Sequence, residues 1–338
     1  MPISVIVGGQ LGSEGKGKVA KCIAEQEGAS VAIRCGGPNS GHTVINNNGE
    51  AIVFQQLPTA CLLSNIISVL SAGMYIDLDI LFSEIAKVRI DKEKLFIDPK
   101  AVIITERMKK TEQNGTLKER IGSTGSGTGE AVIHRIKRTD TLTFAKDIPA
   151  LSPYIKDVNS FLRSQLKKKK RIILEGTQGF GLSLIHSPYY PNVTSRDTTA
   201  SGFLAEAGLS PLDVDDVVMV IRAFPIRVPG NSGHLPNEIN WDILRQESGA
   251  PFDLAEITSV TKKVRRVAKF DSEIVRRAIQ INNPTRVVLN HVDYVDFSIR
   301  KKGMTLKASK FIDNISFEIN KKIEMYGIDQ KDIFNLSK

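Results

Sequence analysis

An α/β fold, one domain over residues 1–338 with a central, largely parallel sheet flanked by helices, is what this sequence predicts. Three observations carry the prediction. Short apolar, β-branched runs recur along the chain, helical apolar patterns lie between them, and long glycine-rich loops join the two. Near-continuous apolar strands belong to parallel sheets covered on both faces.

The opening run Ile3 to Val7 leads through GGQLGSEGKGK into a helical pattern marked by Val19, Ala20, Ile23 and Ala24. Strand, glycine loop and helix form a phosphate-binding opening. SVAIR is the next strand, followed by the turn CGGPNSGHT and a hairpin around Asn46 to Gly49, where NNNG supplies residues that tolerate positive φ. Further strands are read at IISVLSAG, KLFID, AVIIT, RIILEG, DVVMVIR and TRVVLNHVD. Helices are expected over 77–89, 129–137, 154–167, 198–208, 271–281 and 310–325. There is no internal repeat and no low-complexity linker.

Of 338 residues, 41% are hydrophobic, 25% charged and 6% aromatic, an ordinary globular balance. No apolar run approaches the roughly 20 residues that cross a bilayer, and the N-terminus lacks the pattern of a secretory signal. Three scattered cysteines (Cys22, Cys35, Cys61) give neither disulfide framework nor zinc spacing. The expected setting is the cytoplasm, without a membrane partner. The net charge of +9 suits an enzyme holding several phosphates and a dicarboxylic amino acid. No nucleic-acid reading motif accompanies it, and the densest run, Lys167 to Arg171, reads as a solvated turn.

Five loops carry candidate chemistry. In GGQLGSEGKGK the glycines can turn backbone N–H groups toward phosphate while Lys16 and Lys18 neutralise its oxygens, although the Walker A spacing is absent. GGPNSGHT places Asn39 and His42 in a turn too glycine-rich for a packed core, and an imidazole there can donate to a transferring phosphoryl group. IGSTGSGTGEA opens a helix, so Ser123, Thr124 and their amides form a second anion cradle, implying two phosphorylated ligands. LEGTQG carries Gln178, whose amide can read a base edge, and NVTSRDTT follows with Thr194 and a helix-capping set. TSVTKKVRRVAKFD is basic and suits either a solvated stripe or a dicarboxylate site, since guanidinium pairs bidentately with carboxylate.

In this order the five segments resemble the adenylosuccinate synthetases, whose loops read GxQWGDEGKGK, GGxNAGHT, GTTGRGIGP, EGAQG with YVTSSNTT, and TTGRRRR. The resemblance spans roughly residues 3–296, and the short stretch from Arg138 to Lys170 is similar to the short archaeal and viral forms. It implies transfer of a γ-phosphoryl group to the purine O6, then attack of aspartate's amine on C6 with loss of phosphate. His42 would support the phosphoryl group on O6, with Ser13 and Gln178 at the reacting base. Ser13, Glu14, Gly15, Lys16 and Gly17 would surround the triphosphate, with Gly41 and Thr43 beside them and Asp293 at the donor base. Gly41 and Ser13 fall on the Mg²⁺ position. Asn39, Gln178 and Lys263 address the acceptor nucleoside; Ser123, Thr124 and Thr194 hold its 5′-phosphate. Arg138 falls where the family uses an arginine from the other subunit of a homodimer. Val260, Thr261, Lys263 and Arg265 fall on the aspartate loop.

Three departures point to a changed substrate. Ser13 stands where the family has its catalytic aspartate: loss of the base, and with it of function, is one reading, and the other is space opened beside N1 and C2, where guanine carries its amino group. The viral branch, which makes 2-amino-adenylosuccinate from dGMP, is similar in having a small residue there. The guanine-specifying TKxD reads Asn290-His291-Val292-Asp293, and the C-terminal SxGPxR element is missing, which favours ATP or dATP over GTP as donor. Lys263 replaces a loop arginine near the ribose, which fits a deoxyribose-preferring pocket. The expected substrates are dGMP, L-aspartate and ATP or dATP, with Mg²⁺; IMP with GTP is the alternative.

Overall fold

A computed structural model describes residues 2–258 and 262–336. Nine strands form its main sheet: β1 Ile3–Gly8, β2 Val31–Arg34, β3 Ile67–Leu70, β4 Leu95–Ile97, β5 Ile172–Glu175, β6 Val214–Arg222, β7 Arg286–Asn290, β8 Met325–Ile328 and β9 Asp332–Asn335. Their spatial order is β9-β8-β7-β6-β1-β5-β2-β3-β4, and every pairing is parallel except β8 with β9. The chain leaves β1 toward β2, β3 and β4, returns to insert β5, and then builds β6 to β9 on the other side. β1 is therefore the switch point, where open α/β sheets form a crevice beyond the carboxyl ends of their strands.

The apolar runs explain the burial. β1, β2 and β5 are buried at every position, because helices cover both faces of the sheet. Those helices include α1 Lys16–Gln26, α2 Leu78–Val88, α3 Thr128–Lys137, α4 Val158–Lys167, α5 Ala200–Ala207, α6 Ser272–Asn282 and α7 Leu306–Glu318. Most are capped by short polar side chains: Asp77 for α2, Asp157 for α4, Thr199 for α5 and Asp271 for α6. By contrast, α1 and α3 begin at left-handed glycines, Gly15 and Gly127, with no capping side chain, as expected for helix ends that receive anions.

Boundaries moved where local chemistry overrode the apolar pattern. The helix expected over 154–167 begins at Val158, because Pro149–Tyr154 is a 3-10 turn and Asp157 accepts from Ser160 N. The helix expected over 310–325 runs instead over Leu306–Glu318, between the Thr305 cap and left-handed Asn320, and the segment beyond it is β8. AVIIT contributes only a two-residue strand, Val102–Ile103. The expected hairpin is present as His42–Ile45 against Ala51–Phe54, with Gly49 at φ 82°. Lys167 to Lys170 are exposed, and Arg171 pairs with Glu27 and Asp215 at the amino end of β5, away from the loops that carry the chemistry. No helix among the described residues is long and apolar enough to cross a membrane.

Candidate functional site

Four strands that surround the crevice end on a polar residue with no solvent exposure: Arg34 on β2, Glu175 on β5, Arg222 on β6 and Asn290 on β7. Each is held by the loops it supports, so the sheet edge fixes the site.

The first loop is braced from within. The buried Glu14 carboxylate accepts from Gln10 N at 3.1 Å, Gly12 N at 2.8 Å and Lys16 Nζ at 2.7 Å. Glu14 is thus a strut, and what it offers an anion is its backbone. Its carbonyl accepts from Asn290 Nδ2 at 2.7 Å, which ties the loop to the end of β7. Ser13 is exposed in the left-handed region (φ 58°), and its carbonyl accepts from Arg222 Nη1 at 3.0 Å.

His42 stands beside this helix start. A side chain at Gly17 would lie 2.8 Å from His42 Cβ, so glycine there permits the approach. His42 Nδ1 faces Glu175 Oε1 at 2.5 Å and the Arg34 guanidinium; Arg34 Nη1 also donates to Glu175 Oε1 at 2.7 Å. Thr59 N and Oγ1 each lie 2.8 Å from the second Glu175 oxygen. Burial, reinforced by Arg34, lowers the His42 pKa to about 3 against the opposing pull of Glu175, so the ring is neutral at pH 7. Burial alone would raise Glu175, but the His42 hydrogen bond and Arg34 charge hold it below the usual carboxylate range. His42 Nε2 is buried without a partner among the described residues. It is the atom a ligand oxygen would satisfy.

Gln178, immediately beyond β5, has φ 60°, a strained position for glutamine that places its amide Oε1 near Gly12. Thr194 N donates to Leu182 O at 2.9 Å, which folds NVTSRDTT back over the same loop. Asn39, Gly41 and Thr43 are half-buried in the turn leading to His42.

The third loop is only partly as expected. Gly37 meets Thr128 at the start of α3, which brings this helix end to the second loop, and Thr124 is exposed. The helix end, however, already holds a carboxylate: Glu112 accepts from Ser123 Oγ at 2.6 Å and Gly129 N at 3.1 Å. Arg138 is exposed at the other end of this ten-residue helix, about 15 Å from the cradle at 1.5 Å per residue.

On the fifth loop, Val260 and Thr261 lie outside the described residues. Around them, Lys263 is exposed with its N–H donated to Thr258 Oγ1, and Arg265 Nε lies 3.4 Å from Ile257 O. Glu256 anchors the loop to β6 through Arg222 and accepts from Tyr294 Oη at 3.0 Å. Burial would raise its pKa, but the charge of Arg222 outweighs it and brings it to about 2. Arg222 therefore joins the Ser13 loop to the basic loop.

The β8–β9 hairpin lies against the first helix. Lys18 Nζ donates to the carbonyls of Ile328, Asp329 and Asp332 at 3.1–3.3 Å. Asp293 is fully buried and paired with Arg300, and His291, at φ 60°, packs on Tyr294.

Gly41 and Ser13 offer a magnesium ion only neutral oxygens, and the described residues contain no cluster of three His, Cys, Asp or Glu suited to a metal. Such a set fits an ion that arrives on a triphosphate, whose oxygens complete its shell.

Arg34, Glu175, Thr59, Arg222 and Glu256 escaped sequence reading. The available signal was a charged residue closing an apolar strand, as in SVAIR, RIILE and DVVMVIR.

The sequence profile described as adenylosuccinate synthetase matches residues 5–146 and 140–300. The adenylosuccinate synthetase of Methanocaldococcus jannaschii is 36% identical over 92% of this chain and 90% of its own length. That of Pyrococcus horikoshii is 35% identical over 93% and 92%. Among solved structures, cyanophage S-2L succinoaminodeoxyadenylate synthetase, bound to dGMP and to dATP as energy donor, superposes with a TM-score of 0.83 at 28% identity, covering 100% of this chain and 96% of that one. Fully ligated adenylosuccinate synthetase from Plasmodium falciparum, at 22% identity and TM-score 0.84 over the whole of both chains, shares the fold.

Proposed function

The chain belongs to the adenylosuccinate synthetase family, carbon–nitrogen ligases that couple aspartate to a purine nucleotide, and on that premise we propose that its acceptor is dGMP. The reaction is dGMP, L-aspartate and ATP or dATP giving 2-amino-2′-deoxy-N6-succinoadenylate, ADP or dADP, and phosphate. The observation that carries this reading is Ser13: a short, uncharged side chain, exposed on a loop whose backbone Arg222 pins, where the family has an aspartate. The cyanophage structure bound to dGMP and dATP supports it. The archaeal relatives favour the second reading, IMP with GTP.

In the mechanism the open end of α1 and Lys16 hold the triphosphate, with the γ-phosphoryl beside His42. Phosphoryl transfer needs chiefly positioning and neutralisation of charge. His42 Nε2–H donates to the oxygen between O6 and phosphorus as negative charge gathers there, with Arg34 and Glu175 fixing the ring at Nδ1. Gln178 and Asn39 orient the base; Thr194 and Thr124 hold the 5′-phosphate. Val260, Thr261, Lys263 and Arg265 hold aspartate for attack on C6. Gly41 and Ser13 would hold Mg²⁺, which would supply further charge neutralisation at the triphosphate. Turnover is expected in the cytoplasm.

Phosphate release with saturating aspartate and ATP should show kcat/KM for dGMP at least tenfold above that for IMP, about 1.4 kcal/mol of differential transition-state stabilisation. Equal or better use of IMP leaves the second reading.

Arg138, too far from its own cradle, reaches the 5′-phosphate bound by a second copy in a symmetric homodimer. Exposed Ile133 and Ile136 on the same helix suit such a contact. Mixing the inactive variants Arg138→Leu and His42→Ala should therefore restore partial activity through hybrid dimers carrying one intact site. A fully active monomer by sedimentation, or no recovery despite proven subunit exchange, contradicts shared sites.

A further inference from the structure

We propose that Arg300 closes the donor-base pocket to guanine by occupying Asp293 itself. The proposal rests on the reading above that Asp293 faces the donor base, and it concerns specificity within that site.

Asp293 has no exposed surface and begins the turn directly after β7. One of its oxygens, Oδ2, takes both Nε and Nη2 of Arg300, at 2.9 and 2.5 Å. The other, Oδ1, is buried without a partner among the described residues. The Arg300 guanidinium lies 4.6 Å from the centre of the Phe297 ring, which holds it in place. The nearby cation, Lys18, makes its hydrogen bonds to three carbonyls of the β8–β9 hairpin.

The chemistry of this pairing is what excludes guanine. The Watson–Crick edge of guanine presents N1–H and N2–H side by side, two planar donors that need both oxygens of one carboxylate. A guanidinium presents the same pair of donors. By placing both donors on Oδ2, Arg300, seven residues along the chain, removes one of the two oxygens that a guanine edge needs and puts a positive charge beside the other. An incoming guanine would have to displace it, or leave its own amino group against a positive charge with no acceptor. Adenine carries an acceptor at N1 and makes no such demand on Asp293.

The test is the ratio of kcat/KM for GTP to that for ATP, measured with aspartate and the better of dGMP and IMP at saturation. In wild type the ratio should be one or less. Arg300→Ala should raise it at least tenfold, because Asp293 becomes available. Adding Asp293→Asn to that variant should abolish the gain. Arg300→Gln, which keeps part of the stem and an amide, serves the same comparison if the alanine variant does not fold, with thermal unfolding as the check on both. A ratio unchanged within twofold in a folded variant overturns the role of Arg300, as does a gain that survives Asp293→Asn. A wild type that already prefers GTP more than tenfold overturns the ATP reading instead, so the two failures are distinct.

Discussion

His42→Ala should lower kcat by roughly 10²- to 10⁴-fold, the range for a positioned proton donor or acceptor, while nucleotide affinity changes far less. The expectation follows from three features. His42 Nε2 is buried and unpartnered. Its other ring nitrogen is held between a carboxylate and a guanidinium. Its pKa, near 3, leaves the ring neutral with a single N–H. Nε2 offers that N–H to the negative charge that gathers on a phosphoryl group in transit. Single-turnover kinetics would separate the chemical step from binding. Retention of more than about a tenth of wild-type kcat would make His42 structural.

Arg34→Met should cost about 3–5 kcal/mol of stability, because it strips the Glu175 carboxylate of its countercharge where neither side chain has exposed surface. The double variant Arg34→Met/Glu175→Leu removes both charges and should recover much of the loss, since a buried pair replaced by apolar groups is often close to neutral. Urea titration of the three proteins measures both values. A single-variant cost below about 1 kcal/mol would mean that solvent reaches Glu175 after all, and the electrostatic account of His42 would fall with it.

The sheet was legible because its strands are buried on both faces and so read as unbroken apolar runs, as in Val217 to Ile221 and Val287 to Leu289. The C-terminal hairpin was not. Ile315, Ile319 and Ile323 continue a helical spacing, but the left-handed turn at Asn320 ends the helix, and Ile323 leads into β8. Glycine and histidine made the loops of the site visible. Their supports were hidden for a different reason: Arg34 and Glu175 are 141 residues apart, and each alone looks like the boundary of a strand. Glu112 drew no reading from the sequence, although its carboxylate occupies the amide end expected to receive a phosphate.

Acceptor identity depends on Ser13, and a competition measures it directly. The enzyme would receive equimolar dGMP and IMP with aspartate and ATP, and the two succinyl products would be quantified by mass spectrometry at low conversion, so that their ratio equals the ratio of kcat/KM. The proposal predicts that the 2-amino-2′-deoxy product exceeds adenylosuccinate at least tenfold; adenylosuccinate in equal or greater amount would contradict it.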